Sequence, residues 1–212
     1  MRKLKTKGLF NSYLDEEFAW RLKEIADMRG AIASAEQTPR NSIVRASIPI
    51  LYAHWEGFVK KSSEGLLNFI NNQGLQYNLL RSCFVVFGIK NLLAQMIESG
   101  NPVDSIAVVD FFRVDMTSRA ELVVMVQTDA NLSSKVFERI ANSLGVDTGP
   151  YETKYLLIDH SLLKRRNNIA HGEFLDVNDV NFRDLSEDVI ALMRRFKDDL
   201  SNIVSADRFL QH

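Results

Sequence analysis

The apolar positions of this 212-residue chain recur mainly at helical spacing, and only four prolines and ten glycines interrupt them. Apolar residues three or four positions apart form one stripe on a helix, whereas strict alternation would indicate a strand. The spacing predicts helices over residues 12–34, 42–71, 78–99, 131–144 and 180–204, with a further helix that begins near residue 151. We therefore predict a mostly all-α fold, an antiparallel helical bundle with an added N-terminal helix.

The apolar stripes also predict how these helices pack. The second helix has a continuous stripe, although Pro49 must either kink this helix or mark its true start. The third helix is apolar nearly all round, which is typical of the central helix of a bundle. The last helix has an apolar stripe and a charged face, and we expect it to pack along the helix that begins near residue 151. The stripe of the second helix consists of Leu51, Trp55, Phe58, Ser62, Leu66 and Phe69.

The middle of the chain is harder to interpret. Residues 106–109 and 122–126 are β-branched enough for short strands, and helix is equally defensible for both. No repeat or long linker divides the chain, so we predict a single domain of residues 1–212. It comprises an N-terminal tail and helix (1–40), core helices (41–99), an irregular or inserted segment (100–150), and two final helices (151–204).

Charge and composition narrow the functional classes. The chain has 26 basic and 27 acidic side chains, which excludes a generally basic nucleic-acid coat, so any RNA contact must be local. The basic residues 1–8 are expected to form a solvated tail, with an RNA-contacting arm as the alternative. The single cysteine, Cys83, is expected to be a buried small hydrophobe. The absence of a signal peptide or a long apolar stretch predicts a cytoplasmic protein that does not enter a membrane.

One segment concentrates the reactive polar groups, residues 165–172 with the sequence RRNNIAHG. On an ideal helix Arg166 projects near the middle of an apolar arc, within about 20° of Asp159. An arginine there must be paired, or must open onto a polar cavity or an interface. Two interpretations stay open, an Arg166–Asp159 ion pair and a charge held to stabilise an anion. The arc consists of Tyr155, Leu156, Ile158, Leu162, Leu163, Ile169 and Ala170.

The angles within this segment raise a geometric problem. His160, Asn167 and His171 fall within about 40° of one another at the edge of the arc, whereas Arg166 and His171 are about 140° apart. One chain would thus have difficulty aiming both at one atom. Either the helix loosens near His171, which Gly172 would permit, or two copies of the segment complete a shared site.

The sequence Arg166-Asn167-Asn168-Ile169-Ala170-His171 resembles the Arg-x4-His signature of the HEPN superfamily, helical-bundle domains many of which are metal-independent ribonucleases. Residues 162–165 and Gly172 fit the same pattern, and residues 46–60 resemble a segment of the bacterial RiboL-PSP branch. The resemblance covers residues 45–200. It implies a HEPN-like bundle and a homodimer in which two motif helices form a composite site.

The resemblance also implies roles for individual residues. Arg166 and His171 would be catalytic, with Asn167 as the polar residue that often follows the arginine. Histidine is the usual proton-transfer group near neutral pH, and arginine suits a phosphate with developing charge. Lys164 and Arg165 would guide the RNA backbone, and His160 borders the same edge.

The leading hypothesis is therefore an endoribonuclease that needs no metal or other cofactor, acting as a toxin or in phage defence, with a possible antitoxin partner. The alternatives are a non-catalytic HEPN adaptor that dimerises or binds RNA, and a plain helical scaffold. Glu173 stands where some HEPN toxins carry a tyrosine that a partner enzyme modifies, so that mode of control is not expected. The chain has no Walker loop, dinucleotide-binding glycine motif or Gly-x-Ser-x-Gly motif. Upstream, His54 is expected to be structural, although the cluster of Tyr52, His54, Glu56 and Lys60 could border the site.

Overall fold

The computed structural model describes residues 3–129, 131–174 and 179–211. Within these ranges the chain is helical and has no named strand, which confirms the predicted all-α class and the helical bundle. No helix in the described ranges is long and apolar enough to cross a membrane. The α-helices are α1 (Lys7–Ser34), α2 (Gln37–Gln73), α3 (Ser82–Ser99), α4 (Pro102–Val114), α5 (Ser134–Ser143), α6 (Arg165–Ala170) and α7 (Asp179–Ser205).

The core lies between α1, α2 and α7. The apolar stripe predicted for α2 is buried along its whole length, because it faces the stripes of the two other long helices. Polar bonds at the rim fix α7 against α1, among them Lys197 Nζ to Asp15 Oδ1 at 2.7 Å and Arg29 Nε to Ser186 Oγ at 2.7 Å. The main partners of α7 are thus α1 and α2, and its contact with the segment near residue 151 includes bonds from Tyr151 to Asp199 and from Lys154 to Asp188.

The N-terminal segment is more ordered than the sequence predicts. Helix α1 begins at Lys7, where the hydroxyl of Thr6 accepts a hydrogen bond from the Leu9 amide at 3.2 Å. Leu4 is buried in the core, and Lys7 Nζ lies 2.8 Å from Asp207 Oδ2. Leu4 is thus buried and residues 7 and 8 are helical, while the side chains of Lys3, Lys5 and Lys7 are exposed; Met1 and Arg2 lie outside the described residues.

Prolines lie inside α2 at two positions. Only Ala35 and Glu36 separate α1 from α2, so most of the gap left between the helices predicted over residues 12–34 and 42–71 is helical. Pro39 fits there because the first turn of a helix needs no donor from that residue. Pro49 lies inside the continuous helix and does not mark its start. Since proline has no amide hydrogen, it cannot donate to the Arg45 carbonyl.

Helices α3 and α4 form a hairpin at the edge of the molecule. Only the first half of α3 is buried, and its second half packs against α4. The prediction that α3 is the central helix is wrong, because its outer apolar residues meet a neighbour on one side alone. Of the ambiguous segments, residues 106–109 are helical, and residues 122–126 belong to neither a helix nor a strand. The second segment is held by Asn71, whose side chain accepts the Leu122 amide at 2.7 Å and donates to the Leu122 carbonyl at 2.9 Å.

Candidate active site

The segment with the Arg-x4-His sequence is one helical rod whose geometry changes along its length. A 3₁₀ turn (Gly149–Lys154) precedes a π-helix (Leu157–Lys164), and the π-helix continues directly into α6. We call residues 157–170 the motif helix. It packs on α2. A π-helix bonds each amide to the carbonyl five residues earlier and is wider than an α-helix, and it occurs frequently at functional sites.

The π-helix changes which residues face the core. Ile158 and Leu162 are fully buried, and Tyr155, Leu163 and Ile169 are half-buried against the core. Leu156 and Ala170 are exposed, so the apolar arc predicted at 100° per residue is wrong at its two ends. The angle between Asp159 and Arg166 was calculated at 100° per residue, a value that does not apply to the π-helical residues between them.

Asp159 acts as a cap for α5. Its Oδ1 accepts the Ser134 amide at 2.7 Å, and its Oδ2 accepts the Ser134 hydroxyl at 2.6 Å. A carboxylate at the start of a helix satisfies amides that have no partner within the helix, and it complements the helix dipole. Asp159 therefore has a structural role that joins the motif helix to α5. Both carboxylate oxygens take part in this contact.

Arg166 lies where the motif helix, α2 and the turn before α5 meet. Its guanidinium Cζ is 4.2 Å from the centroid of the Tyr52 ring, and its Nη2 donates to Asn131 Oδ1 at 2.9 Å. Tyr52 is buried, and its hydroxyl accepts the Leu132 amide at 2.6 Å. Burial raises the pKa of the Tyr52 phenol above its ordinary value, so the ring that carries Arg166 stays neutral.

The support of Arg166 comes from Tyr52, a member of the polar cluster that was expected to border the site, and from Asn131, at the start of the helix predicted over residues 131–144. A cation above an aromatic face gains about 0.5–2 kcal/mol, depending on how far it is desolvated. The guanidinium is half-buried, so its orientation is set by these neighbours. Tyr52 is the seventh residue of segment 46–60, and the resemblance of that segment to the RiboL-PSP branch was the available signal in the sequence.

His171 lies at the end of the motif helix and is exposed. Its amide donates to the Asn167 carbonyl at 2.9 Å, so the α-helical geometry continues to this residue. Gly172 follows with a φ of +78°, in the left-handed region that ends many helices, and its amide donates to the Ile169 carbonyl at 3.1 Å. The turn at Gly172 therefore comes after His171 and does not bring His171 towards Arg166.

The segment after His171 is hydrogen-bonded to the motif helix and to α2. The Glu173 amide donates to the Asn168 carbonyl at 2.9 Å, and Arg45 Nη2 of α2 donates to the Glu173 carbonyl at 2.5 Å. With its amide oriented to satisfy both neighbours, Asn168 donates to the Lys164 carbonyl at 3.1 Å and to Glu173 Oε2 at 3.3 Å. These bonds fix the end of the motif helix and add Arg45 to the positive charges around it.

The remaining candidates lie on the outer side of the motif helix. His160 and Lys164 are exposed, and Arg165 and Asn167 are half-buried. Arg166 points inward to α2, whereas His171 faces solvent. The structure thus leaves Arg166 and His171 on different sides of one helix, as the angle of about 140° predicts.

His54 does not belong to this site. It is buried against α1, with Nε2 3.1 Å from Glu24 Oε2 and its ring 5.4 Å from the Trp20 ring. Burial lowers the pKa of this imidazole. The structural interpretation of His54 is the one that these contacts support. Over the described ranges, no group of three or more His, Cys, Asp or Glu side chains is arranged to hold a metal ion.

Comparison with known proteins gives the family. A family model described as MAE_28990-like HEPN matches residues 10–209, from the first turn of α1 to the residues after α7. No curated protein and no solved structure is significantly similar to the chain. The match extends beyond residues 45–200, over which the HEPN resemblance was first drawn, and it includes the whole motif helix. The chain therefore belongs to the MAE_28990-like HEPN family.

Proposed function

We propose that this HEPN chain is a metal-independent endoribonuclease whose active site is completed by a second copy of the chain. One observation carries the proposal. Arg166 is fixed against Tyr52 and Asn131 at the inner side of the motif helix, while His171 is exposed at the end of the same helix. A half-buried, pre-oriented cation together with an exposed imidazole is the pair that phosphate-ester cleavage by proton transfer requires.

The reaction uses the 2′-OH of the RNA itself as the nucleophile. A base removes the 2′-OH proton while the O2′ atom forms a bond to the adjacent phosphorus. The bond between phosphorus and O5′ breaks, and O5′ takes up a proton. The products are a 2′,3′-cyclic phosphate and a free 5′-OH, and no external water or metal is consumed in this step.

His171 is the proposed proton-transfer group, because its imidazole is accessible to a substrate and can accept and donate a proton. Arg166 is proposed to bind the non-bridging phosphate oxygens, where charge develops. A guanidinium has five N–H donors in one plane, which lets one arginine hold a structural partner and a phosphate oxygen together. Asn167 would orient the histidine or bind a phosphate oxygen.

Substrate binding is assigned to the outer side of the motif helix. Lys164, Arg165 and His160 are proposed to follow the RNA backbone, since the net charge of the chain is close to zero and its RNA contacts must be local. A role as a toxin or phage-defence effector, restrained by an antitoxin in the cytoplasm, is the biological setting that fits such an enzyme.

A non-catalytic adaptor is the second candidate, and the support of Arg166 also favours it. An arginine that stacks on a buried tyrosine and bonds an asparagine can serve as a structural group between α2 and the motif helix. In that case loss of Arg166 would lower stability, and no RNA would be cleaved by the wild type.

A cleavage assay with a defined single-stranded RNA in EDTA distinguishes the ribonuclease from the non-catalytic adaptor. We expect the wild-type protein to produce 2′,3′-cyclic phosphate and 5′-OH ends. His171→Ala and Arg166→Lys should cleave at least about 100-fold more slowly, because each removes a group that acts in the transition state. Replacing the nucleotide before the cut by its 2′-deoxy form should abolish cleavage at that position.

Lys23→Ala is the matched control, since it removes an exposed positive charge on α1, 3.9 Å from Asp27 and away from the motif helix. It should cleave at the wild-type rate. Intact RNA with wild-type protein that folds and dimerises would favour the adaptor. Cutting of the 2′-deoxy substrate would disprove attack by the 2′-OH.

A further inference from the structure

Arg45 of α2 contacts the end of the motif helix that carries His171. Its Nη2 donates to the Glu173 carbonyl at 2.5 Å, and Glu173 follows His171 by two residues. Two residues span at most about 7 Å of extended chain, so the Arg45 guanidinium lies close to the backbone of His171. Both side chains belong to the same copy of the chain, and no second copy is needed to bring them together.

The contacts of α2 with the motif helix explain why Arg45 lies at this end. Tyr52 contacts Arg166. Seven residues earlier on α2, Arg45 contacts Glu173, which follows Arg166 by seven residues. The two helices are therefore antiparallel here, and seven residues are about two turns, so Arg45 and Tyr52 lie on the same side of α2. Arg166 thus lies against one end of this shared side, and Arg45 lies at the end next to His171.

The Arg45 guanidinium keeps donors for an anion. It has five N–H groups, and the bond to the Glu173 carbonyl uses one of the five. Among the residues that the structure describes, no carboxylate forms an ion pair with Arg45, whereas Arg29 and Arg139 are each ion-paired. The Glu173 carboxylate accepts a bond from Asn168 of the motif helix. Since Arg45 is half-buried, its cation is partly desolvated without a counter-ion, which favours the binding of an anion.

We propose that Arg45 binds a backbone phosphate of the RNA beside His171 of the same chain. This inference rests on the proposed ribonuclease function, and it adds a substrate-binding residue from α2 to the residues of the motif helix. Arginine suits a phosphate because its planar N–H donors form charge-assisted hydrogen bonds with the oxygens. The RNA at His171 then has a guanidinium from the same chain, whichever chain supplies Arg166.

Binding of an uncleavable RNA tests this role apart from catalysis. The probe is a fluorescent single-stranded RNA whose 2′-hydroxyls are methylated, so that it has no nucleophile, and its dissociation constant is measured by anisotropy at several salt concentrations. Arg45→Gln should bind roughly tenfold more weakly at low salt. It should also reduce the slope of log affinity against log salt by about 0.7, the value for one phosphate contact on a single strand. Arg45→Lys keeps the charge and should keep the wild-type slope.

The salt slope distinguishes phosphate binding from a structural role of Arg45. The slope reports how many phosphates the protein neutralises, and a bond to the Glu173 carbonyl alone does not change that number. Arg81→Gln is the matched control, because Arg81 Nη1 also donates to a backbone carbonyl, that of Arg208, at 3.3 Å. The adjacent Phe209 packs on Phe69 near the C-terminal end of α2, far from the motif helix. This control should show the wild-type affinity and the wild-type slope.

Kinetics with cleavable RNA separate this inference from the proposed activity. Arg45→Gln should raise KM more than it lowers kcat, because the contact is made before the transition state. A wild type that binds the probe and cleaves no RNA would contradict the ribonuclease proposal, while the salt slope of Arg45→Gln would still decide the role of Arg45. An affinity and a slope that are unchanged in Arg45→Gln would overturn the inference. A wild type that binds no RNA would overturn it as well.

Discussion

Arg166 shows how a single residue can join three parts of the chain. Its guanidinium stacks on Tyr52 from α2 and bonds Asn131 from the turn before α5, 114 and 35 positions away in sequence. The orientation of this cation is therefore set before any phosphate binds. Pre-oriented charge is effective in catalysis because no reorganisation is needed as charge develops in the transition state.

The Tyr52 ring lies beneath Arg166, and the Tyr52 hydroxyl accepts the Leu132 amide and also interacts with Arg166, so two substitutions remove different shares of this support. Tyr52→Phe keeps the ring beneath Arg166 and leaves the Leu132 amide without its acceptor, so the free energy of unfolding should fall by about 1–3 kcal/mol while the rate constant stays near that of the wild type. Tyr52→Leu also removes the ring, and kcat for RNA cleavage should fall by about tenfold. Thermal unfolding and single-turnover cleavage measure the two effects.

Comparing the cleavage rates of Tyr52→Phe and Tyr52→Leu decides what the ring does. If Tyr52→Phe and Tyr52→Leu lose cleavage rate equally, the ring does not position Arg166 for the reaction. If neither changes the rate, the stack is purely structural.

Part of this site could be predicted at the residue scale. Arg166 was recognised because an arginine in an apolar arc needs an explanation, and His171 because it follows at the HEPN spacing. Asp159 was given Arg166 as a partner in one interpretation, but its two oxygens bind Ser134. The contacts of Tyr52, Asn131 and Ser134 are tertiary, and no local spacing in the sequence indicates them.

At the scale of elements, periodicity predicted where helices lie better than it predicted what they touch. The four amphipathic helices α1, α2, α5 and α7 were located within a few residues, because a one-sided apolar stripe has a clear period of 3.6. Helix α3 was predicted to be central, yet it lies at the edge. An all-round apolar pattern shows that a helix has apolar surface and does not show what covers it.

The π-helix is the second feature at this scale that the sequence did not predict. Its amides bond carbonyls five residues away, and no residue type marks that choice in the sequence. The ideal angle of about 140° between Arg166 and His171 is consistent with their surroundings, since Arg166 contacts Tyr52 and Asn131 whereas His171 is exposed. Angles calculated at 100° per residue fail upstream, where Leu156 is exposed despite its place in the predicted apolar arc.

The contact between α1 and α2 should make stability depend on pH. Burial lowers the pKa of His54, with the nearby Glu24 carboxylate opposing this shift and Arg21 adding to it. The folded state then binds a proton less readily than the unfolded state, whose histidine pKa is near 6.5. Stability from neutral His54 is present above that value and is lost as the pH falls below it.

We expect the free energy of unfolding of the wild type to fall more steeply between pH 7 and pH 5.5 than that of His54→Gln, by up to about 1 kcal/mol per pH unit. Urea unfolding at several pH values measures this slope. His160→Gln, at an exposed histidine of the motif helix, is the control and should keep the wild-type slope. A wild type that becomes more stable as the pH falls would mean that the Glu24 ion pair dominates over burial.

At the scale of the whole molecule, the motif helix is the surface proposed to bind a second copy of the chain. Arg166 contacts α2 while His171 is exposed, so a second copy of the motif helix would complete the proposed active site.

Mixing inactive variants tests whether each active site draws on two chains. Arg166→Ala and His171→Ala are each expected to be inactive alone, since every site in either homodimer lacks one group. In a mixed dimer one of the two sites receives Arg166 from one chain and His171 from the other. Random exchange makes half of the dimers mixed, so about a quarter of the wild-type activity should return.

The dependence of this recovery on mixing ratio separates it from residual activity. Recovery should be greatest at equal amounts of the two variants and should vanish at either extreme. The control mixes each variant with Lys23→Ala/Arg166→Ala/His171→Ala chains, which can supply neither group and should restore nothing. No recovery at any ratio, with exchange of subunits demonstrated by tags of different size, would contradict a site built from Arg166 and His171 of different chains. The motif helix would then have to rearrange within one chain to bring Arg166 and His171, about 140° apart on an ideal helix, to the same phosphate.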